Sequence, residues 1–560
     1  MALQGHKFGR EIPCKLNLKL EKYILERRKF IQITSASGAG ILASSAFGIT
    51  LKLENIEETV ENLVIGSGYG GAVAALRLTQ AGKKVTMLEM GLDWEKDNGK
   101  YKPFSDLITP KNNSTWLHKS SQAPMMNIAM FNKKFTGVLA RMDFENIKIY
   151  AGRGVGGGSL VNGGMAVQPK KAYFKEIFPE LDAEEFWEKY FPLAKKELDV
   201  NEIPQDYYNE TPYYKFARVG ESEAHKAGFK TVKVPNVYSF DYMKREEAGE
   251  VPKSALAKEV IYGNNHGKQS LEKTYFKKAL ASNLLTIQDL HRVDYFQKTE
   301  NGYVVYVDIL DTEGQVVAKK TINCKKLFLN AGSLGTTKLL LASKYKGKMT
   351  NFDASVGTYW GNNGNVMTGR NMVNTFFNRV ENEATDANYT TGTGSQQSTI
   401  PVSGVDNWED KKHSFFAEIS PLPMGMEVYT SLYLIINRVP NPGSISYDAP
   451  NNDIKINWEE ENFNHTVKNA KYFVKKMNKA NGGTPAGLLW DGGYGSDICY
   501  HPLGGAVIGK TTDLFGRVKG YENLYITDGA LVPASIGVNP FLTITAIDEY
   551  CMEEILKSDF

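Results

Sequence analysis

LVIGSGYGGAVAALRLTQAGKKVTMLEMG, Leu63 to Gly91, is the stretch on which the fold of this chain turns. Leu63, Val64 and Ile65 make a short apolar run, and Gly66, Gly68 and Gly71 follow in GxGxxG spacing with Tyr69 and Gly70 between them. Ala72, Ala75, Leu76 and Leu78 then recur at roughly helical intervals, Gly82 can end the helix, and Lys84 to Glu89 reads as a second strand. The pattern predicts a βαβ unit. Its glycines have separate purposes: the first permits a tight turn, the second lets backbone N–H groups reach a pyrophosphate, and the third brings helix and strand together. Glu89 closes the second strand, where a carboxylate binds adenosine ribose hydroxyls and repels a 2′-phosphate, so NAD or FAD is expected in preference to NADP.

At 560 residues the chain exceeds one simple core, and two or three domains are expected. Lys+Arg 66 against Asp+Glu 63 leaves a net charge of +3 with the signs interspersed, which argues against nucleic acid or an electrostatic membrane anchor as partner. Cys14, Cys324, Cys499 and Cys551 show no CxxC and no histidine cluster, so neither a disulfide framework nor a metal site is expected, and buried thiols are the simplest reading.

Glu26-Arg-Arg-Lys-Phe-Ile31 is a twin-arginine pattern followed by an Ala/Ser/Gly-rich run to Ile49. Residues 1–57 are therefore expected to be a leader for export of the folded protein to the periplasm or the exterior, cleaved near Ser44 and Ala46 or kept as an anchor. A buried helix with two solvated arginines is the other reading, since the run falls short of the ~20 residues of a spanning helix.

Further on, Ser121 to Phe131 is apolar and methionine-rich, suited to a lid over a bulky apolar ligand or to plain core filling. Gly152 to Met165 carries seven glycines within thirteen residues, as expected of backbone lying against a flat ring or a second stretch of the same cofactor. Leu284 to His291, Tyr303 to Asp311 and Lys325 to Asn330 read as strands, with a glycine turn at Ala331 to Thr337 and a helix from Lys338 to Ala342. Glu427 to Asn437 and Gly443 to Trp458 read as strands of an antiparallel sheet, and Thr390 to Thr399 as a surface loop.

Near the C-terminus come His501-Pro-Leu-Gly-Gly505, then Asp528 and Gly529, then Gly537-Val-Asn-Pro-Phe541 opening an apolar helix from Leu542 to Ile555. Asn539 has the chemistry of an N-cap and Pro540 that of a first helical residue. A helix N-terminus aimed at a flavin's N1 and C2 carbonyl stabilises negative charge on the ring. A plain cap at Asn539 and a satisfied core histidine at His501 are the structural alternatives.

With these residues in view, the chain resembles the glucose-methanol-choline flavin oxidoreductase family and, within it, the bacterial cholesterol oxidases that hold FAD non-covalently. The resemblance covers nearly all of the chain after Glu58 and rests on GRGVGGGSLVNGGMAV (Gly152 to Val167), VPKSALAKEVIYGNNHGKQSLEKTYF (Val251 to Phe276), FAEISPLPMGMEVYTSLYL (Phe416 to Leu434) and CYHPLGGAVIGK (Cys499 to Lys510). It implies FAD contacts at Tyr69, Gly70, Glu89, Gly158, Asn162, Gly163, Met165, Val293, Gly529, Asn539, Pro540 and Phe541, beside the Gly66, Gly68, Gly71 turn and Asp528, and active-site residues at Glu418, His501 and Asn539. Ala506 stands where the pattern carries cysteine.

The resemblance further implies an α/β fold in which a Rossmann-like FAD domain with a parallel sheet takes residues 58–95, 273–345 and 499–560, with 150–168 covering the flavin. A substrate domain with an antiparallel sheet and helices takes 96–272 and 346–498. The implied reaction oxidises a 3β-hydroxysteroid such as cholesterol to the 3-ketone by hydride transfer to the flavin, isomerises Δ5 to Δ4, and returns the electrons to O2 as H2O2. In it His501 orients the hydroxyl, Asn539 tunes the flavin and Glu418 shuttles a proton from C4 to C6, with transient contact to a membrane surface as the source of sterol. A relative acting on a sugar or choline, and a non-catalytic sterol- or flavin-binding module, are the competing readings.

Overall fold

The computed structural model describes residues 55–96, 112–120, 133–256, 266–372, 396–422, 429–486 and 497–560. Arg27, Arg28, Cys14, the methionine-rich segment at 121–131 and Glu427 lie outside the described residues.

The opening unit is the predicted one: β1 (Asn55–Ile65), α1 (Tyr69–Gln80) and β2 (Val85–Leu88), with β1 and β2 parallel. One boundary needs correction. β1 begins at Asn55 and pairs along its length with strand Val316–Leu329, so residues 55–57, assigned above to the leader, belong to the sheet. This half of the strand carries Glu57 and Glu61 exposed and Glu58 half-buried and ion-paired to Lys320, so it has no apolar pattern to announce it.

The seven-stranded sheet runs Leu285–Gln288, β2, β1, Val316–Leu329, Gly302–Leu310, His291–Thr299, with Leu524–Ile526 beside the end of Val316–Leu329. The first four of these strands and Leu524–Ile526 are parallel, and the two remaining strands are antiparallel additions. Ile65, Leu329 and Ile526 stand in register, so three chain segments leave the sheet side by side at Gly66, Asn330 and Thr527. In open α/β sheets ligands bind at such carboxyl ends.

The second sheet is six-stranded and antiparallel, in the order Thr484–Pro485, Asn365–Asn371, Thr430–Asn437, Phe415–Ser420, Ser403–Asp406, Lys230–Lys233. Side-chain alternation gives its faces different tasks. Phe415, Ala417, Ile419, Tyr433, Ile435 and Val366 build a core with Phe473, Val474 and Met477 of helix Glu460–Asn481. On the opposite face Met367, Leu434 and Glu418 form one row across three strands, and Leu432 and Ser420 the next.

Two sequence expectations need correction here. Gly443 to Trp458 does supply antiparallel strands, but in a separate hairpin: Ser444–Asp448 and Asp453–Asn457 pair with each other and not with this sheet, and Ile445 and Ile454 bury against Trp360 and Trp458. The run ending at Thr399 is not a surface loop where it is described, since Gln397, Ser398 and Thr399 are buried and the Ser398 and Thr399 amides donate to the Tyr213 and Ala255 carbonyls. Polar composition misled because these side chains serve inward hydrogen bonds. Cys324, Cys499 and Cys551 are free and buried, and among the described residues no helix is long and apolar enough to cross a membrane.

Candidate active site

One cavity of about 1040 Å³ lies between the parallel strand ends and the inner face of the antiparallel sheet. It sits at the upper end of the ~300–1,000 Å³ typical of ligand pockets, large enough for a cofactor together with part of a substrate. Among the predicted site residues, Gly66, Gly68, Tyr69, Gly70, Glu89, Gly158, Asn162, Gly163, Met165, Val293, Glu418, His501, Asp528, Gly529, Asn539, Pro540 and Phe541 all line it. Gly71 does not; a Cβ there would fall 2.0 Å from the Gly66 carbonyl, so it serves the helix-to-turn contact.

The walls fit a dinucleotide. Gly66 has φ +99°, the left-handed turn conformation, whereas a Cβ on Gly68 would meet no protein atom within 4 Å and would project into open space. α1 starts there with no side-chain cap and no acid in its first turn, leaving free N–H groups and the positive end of the helix dipole for an anion. Glu89 is buried and accepts from Ser67 Oγ at 2.6 Å, Gly91 N at 2.9 Å and Gly154 N at 3.3 Å, tying the glycine-rich segment to the phosphate turn. Asp528 turns its carboxylate to Thr336 Oγ1 (2.6 Å) and the Gly332 and Ala530 amides (2.8 Å each), and burial pushes its pKa up to about 6. It secures the start of helix Gly332–Lys346 beside the cavity.

At the other end, Asn162 Nδ2 donates to the Tyr69 hydroxyl at 2.6 Å, and the Tyr69 ring stacks on Phe541 at 5.0 Å. These contacts fasten the glycine-rich segment, the phosphate turn and the C-terminal helix to one another. That helix begins at Phe541 after Pro540, so Asn539 is not its side-chain cap as the sequence led one to expect. The Asn539 amide has other work: Nδ2 donates to Glu418 Oε2 at 3.2 Å, and Oδ1 is buried without a protein partner, an acceptor left for whatever fills the cavity.

Glu418 is 7% exposed and stands among Met367, Leu434 and Leu422. Burial in apolar surroundings raises its pKa above the ordinary carboxylate range, while Asn539 and the Ser420 hydroxyl, which donates to Oε1 at 3.0 Å, hold part of the ionised form. The result is a carboxylate more basic than usual with its orientation fixed at both oxygens.

His501 is held by a residue that sequence reasoning passed over. Asn365 Oδ1 accepts from the Tyr500 and His501 amides at 3.0 and 3.1 Å, so its Nδ2 must be the group 3.0 Å from His501 Nδ1. An NH2 group can only donate; Nδ1 therefore accepts, and the ring proton sits on Nε2. Burial pushes the pKa of His501 down to about 3. Asn363 joins this corner to the Asn539 loop, with Nδ2 donating to Val538 O and Oδ1 accepting from Ile536 N, each at 2.8 Å. The signal was Gly361-Asn-Asn-Gly-Asn365, three amides in four positions, all fully buried in the structure.

A neutral His501 has a measurable consequence. Between about pH 5 and 8 the rate of flavin reduction should show no ionisation belonging to His501. A limb near the ordinary histidine pKa, about 6.5, that vanishes in His501→Asn would contradict the neutral state of His501.

Comparison with known proteins agrees with this geometry. The GMC oxidoreductase family model matches residues 60–371, its C-terminal model 363–491, and a further GMC oxidoreductase model 443–547. A cholesterol oxidase of Acinetobacter baumannii is 23% identical, covering 88% of this chain and 94% of the relative. A cholesterol oxidase of Mycobacterium tuberculosis (strain ATCC 25618 / H37Rv) is 24% identical over 86% of this chain and 89% of its own. Among solved structures, a fungal aryl-alcohol oxidase superposes with TM-score 0.59 at 13% identity, covering 89% of this chain and 99% of that one. A point variant of formate oxidase from Aspergillus oryzae RIB40 does so with TM-score 0.60 at 12% identity, covering 90% and 98%. With a family model over more than half its length and a cavity built for a dinucleotide, this chain belongs to the GMC oxidoreductases, FAD-binding oxidoreductases that act on alcohols.

Proposed function

We propose that the chain oxidises the 3β-hydroxyl of cholesterol or a related sterol to the ketone, with O2 as acceptor and H2O2 as product, and isomerises the Δ5 ketone to the Δ4 ketone. The observation that carries this reading is Glu418, a basic, buried carboxylate in an apolar row of the antiparallel sheet, joined to Asn539. Oxidising a sugar or choline hydroxyl needs no such base in such surroundings. Two relatives bearing the name cholesterol oxidase over most of their length support the same substrate class.

When bound, FAD supplies the hydride acceptor and its own reoxidation by O2. Orientation of the alcohol and the isomerisation fall to side chains. His501, protonated at Nε2, donates to the substrate oxygen, orienting the carbinol and stabilising the negative charge that grows as the hydroxyl proton departs. Nε2 already carries a proton, so His501 positions the alcohol, and the hydroxyl proton passes to a separate base, solvent water in the cavity, as the hydride leaves. Glu418 takes a proton from C4 of the ketone and returns one to C6, leaving the carboxylate as it began. Met367, Leu432, Leu434 and Leu422 offer the apolar wall that a steroid nucleus buries against. We read FAD as non-covalently held: His501 is engaged by Asn365 and substrate, and among the described cavity residues none is cysteine.

The test is the visible spectrum of the purified protein under anaerobic conditions. Cholesterol is expected to bleach the flavin and glucose, choline and an aryl alcohol to leave it oxidised, while acid precipitation releases the yellow colour to the supernatant. Bleaching by one of the other alcohols and not by sterol would overturn the substrate assignment. Colour retained on the precipitate would overturn non-covalent attachment.

A further inference from the structure

The cavity lining also takes in Glu89, Arg153, Arg292, Lys338 and the tip of the hairpin at Asn452 and Asp453. Two of these cations are spoken for: Arg292 pairs with Asp308 at 2.9 Å and Lys338 with Asp453 at 2.8 Å. Arg153 forms no ion pair among the described residues, its Nε is buried without a hydrogen-bond partner, and its Nη2 meets the Met142 sulfur at 3.8 Å.

Arg141 and Arg218 likewise make no hydrogen bond through a buried Nε, but Arg141 pairs with Asp143 and Arg218 donates through Nη1 to the Tyr208 and Thr211 carbonyls, and the remaining buried guanidiniums are fully engaged. Arg77 is held by both oxygens of Glu549 at 2.6 and 2.7 Å, Arg370 by Glu223, Asn478 and the Gly482 carbonyl, and Arg517 by Asp559 at 2.9 Å. A guanidinium taken out of water with donors unused is costly unless something completes its shell. Burial pushes the Arg153 group below its ordinary range, and the charges of Glu89 and Asp453 offset only part of that effect. The backbone meanwhile holds it firmly: Arg153 N donates to Val138 O at 2.7 Å, and the next amide, Gly154 N, donates to Glu89.

We propose that Arg153 binds the adenosine diphosphate half of FAD, supplying the fixed cation which α1 and Glu89 lack. The inference rests on FAD occupying this cavity and adds a residue to that site. The neighbour of Arg153 decides which half is met. Glu418, His501 and Asn539 mark where alcohol chemistry belongs, the N-terminus of α1 takes the pyrophosphate, and Arg153 stands beside Gly154, whose amide donates to Glu89, the carboxylate that suits the adenosine ribose. A planar guanidinium suits both components found there, pairing with phosphate oxygens or stacking on a purine.

The experiment measures dissociation of FAD from the purified flavin-bound full chain by dilution, following the fluorescence of released flavin, with ADP, adenosine and FMN as displacing ligands. In Arg153→Leu, FAD is expected to dissociate more readily by on the order of 10- to 100-fold, the loss for a charged hydrogen-bond partner. The displacement constant of ADP should weaken by a similar factor and that of FMN should not change. A loss confined to ADP identifies a phosphate contact, and a loss shared by adenosine a ring contact; both support the proposal. Arg153→Gln and Arg153→Lys read the same constants if the leucine variant does not fold, and lysine should restore part of the affinity. FAD and ADP constants within twofold of wild type in a folded variant would overturn the assignment. Wild-type protein that binds no FAD would instead overturn the cofactor reading itself.

Discussion

His501→Ala is expected to slow anaerobic flavin reduction by cholesterol on the order of 10²- to 10³-fold, the cost of deleting one preorganised donor at a developing oxyanion. The dissociation constant for sterol should move far less, because affinity comes mainly from apolar burial along Met367, Leu432 and Leu434. Rapid mixing separates the quantities: the limiting rate falls while its half-saturation stays near that of wild type. An unchanged limiting rate would remove His501 from the chemistry. Asn365 supplies a sharper version of the same test, since its Nδ2, 3.0 Å from Nδ1, is the nearer of two amide donors there, Asn363 Nδ2 being the other at 3.4 Å. In Asn365→Asp a carboxylate would still accept the Tyr500 and His501 amides but would favour the proton on Nδ1, turning Nε2 into an acceptor. Reduction should slow, and the rate should gain a histidine ionisation that wild type lacks, because a carboxylate beside imidazole raises its pKa.

Glu418→Gln divides the proposed reaction in two. Glutamine keeps the shape of the side chain and can still accept from Asn539, so oxidation is expected to continue, slowed by no more than about tenfold, while proton transfer from C4 to C6 stops. The released product should then be the Δ5 ketone in place of the conjugated Δ4 ketone, and the ultraviolet absorption of the extracted steroid tells them apart. Formation of Δ4 ketone at the wild-type rate would mean that another base performs the isomerisation. The raised pKa also has a signed pH consequence. In wild type the isomerisation should weaken as pH falls through a value above the ordinary carboxylate range, because the protonated acid cannot take the C4 proton.

Much of this site was legible before any coordinates, for a definite reason. Residues that meet a cofactor through backbone leave a mark in composition, so Gly66, Gly68 and the run from Gly152 to Gly164 could be read directly. Glu418 was legible only through the family resemblance; the apolar Phe415, Phe416 and Ile419 around it agree with the burial that its pairing with Leu434 shows. Asn365 and Asn363 were not, since buried amides that orient other groups have the composition of a surface turn. For Asn539 only the capping role failed: asparagine before proline has the chemistry of a cap, and tertiary structure instead brings Glu418 within its reach. The charged half of β1 was missed because its regularity lies in backbone pairing with Val316–Leu329, which leaves no apolar period.

The register of Ile65, Leu329 and Ile526 bears on how the living cell makes this enzyme. A ribosome delivers the glycine turn early, yet the strand that flanks Leu329 and the loop carrying Asn539 emerge only towards the far end of the chain. Through most of synthesis the nascent polypeptide has a phosphate cradle with one wall missing, and non-local pairings of this kind are slow to form. A complete berth for the cofactor therefore requires Leu524–Ile526 to have docked beside Leu329.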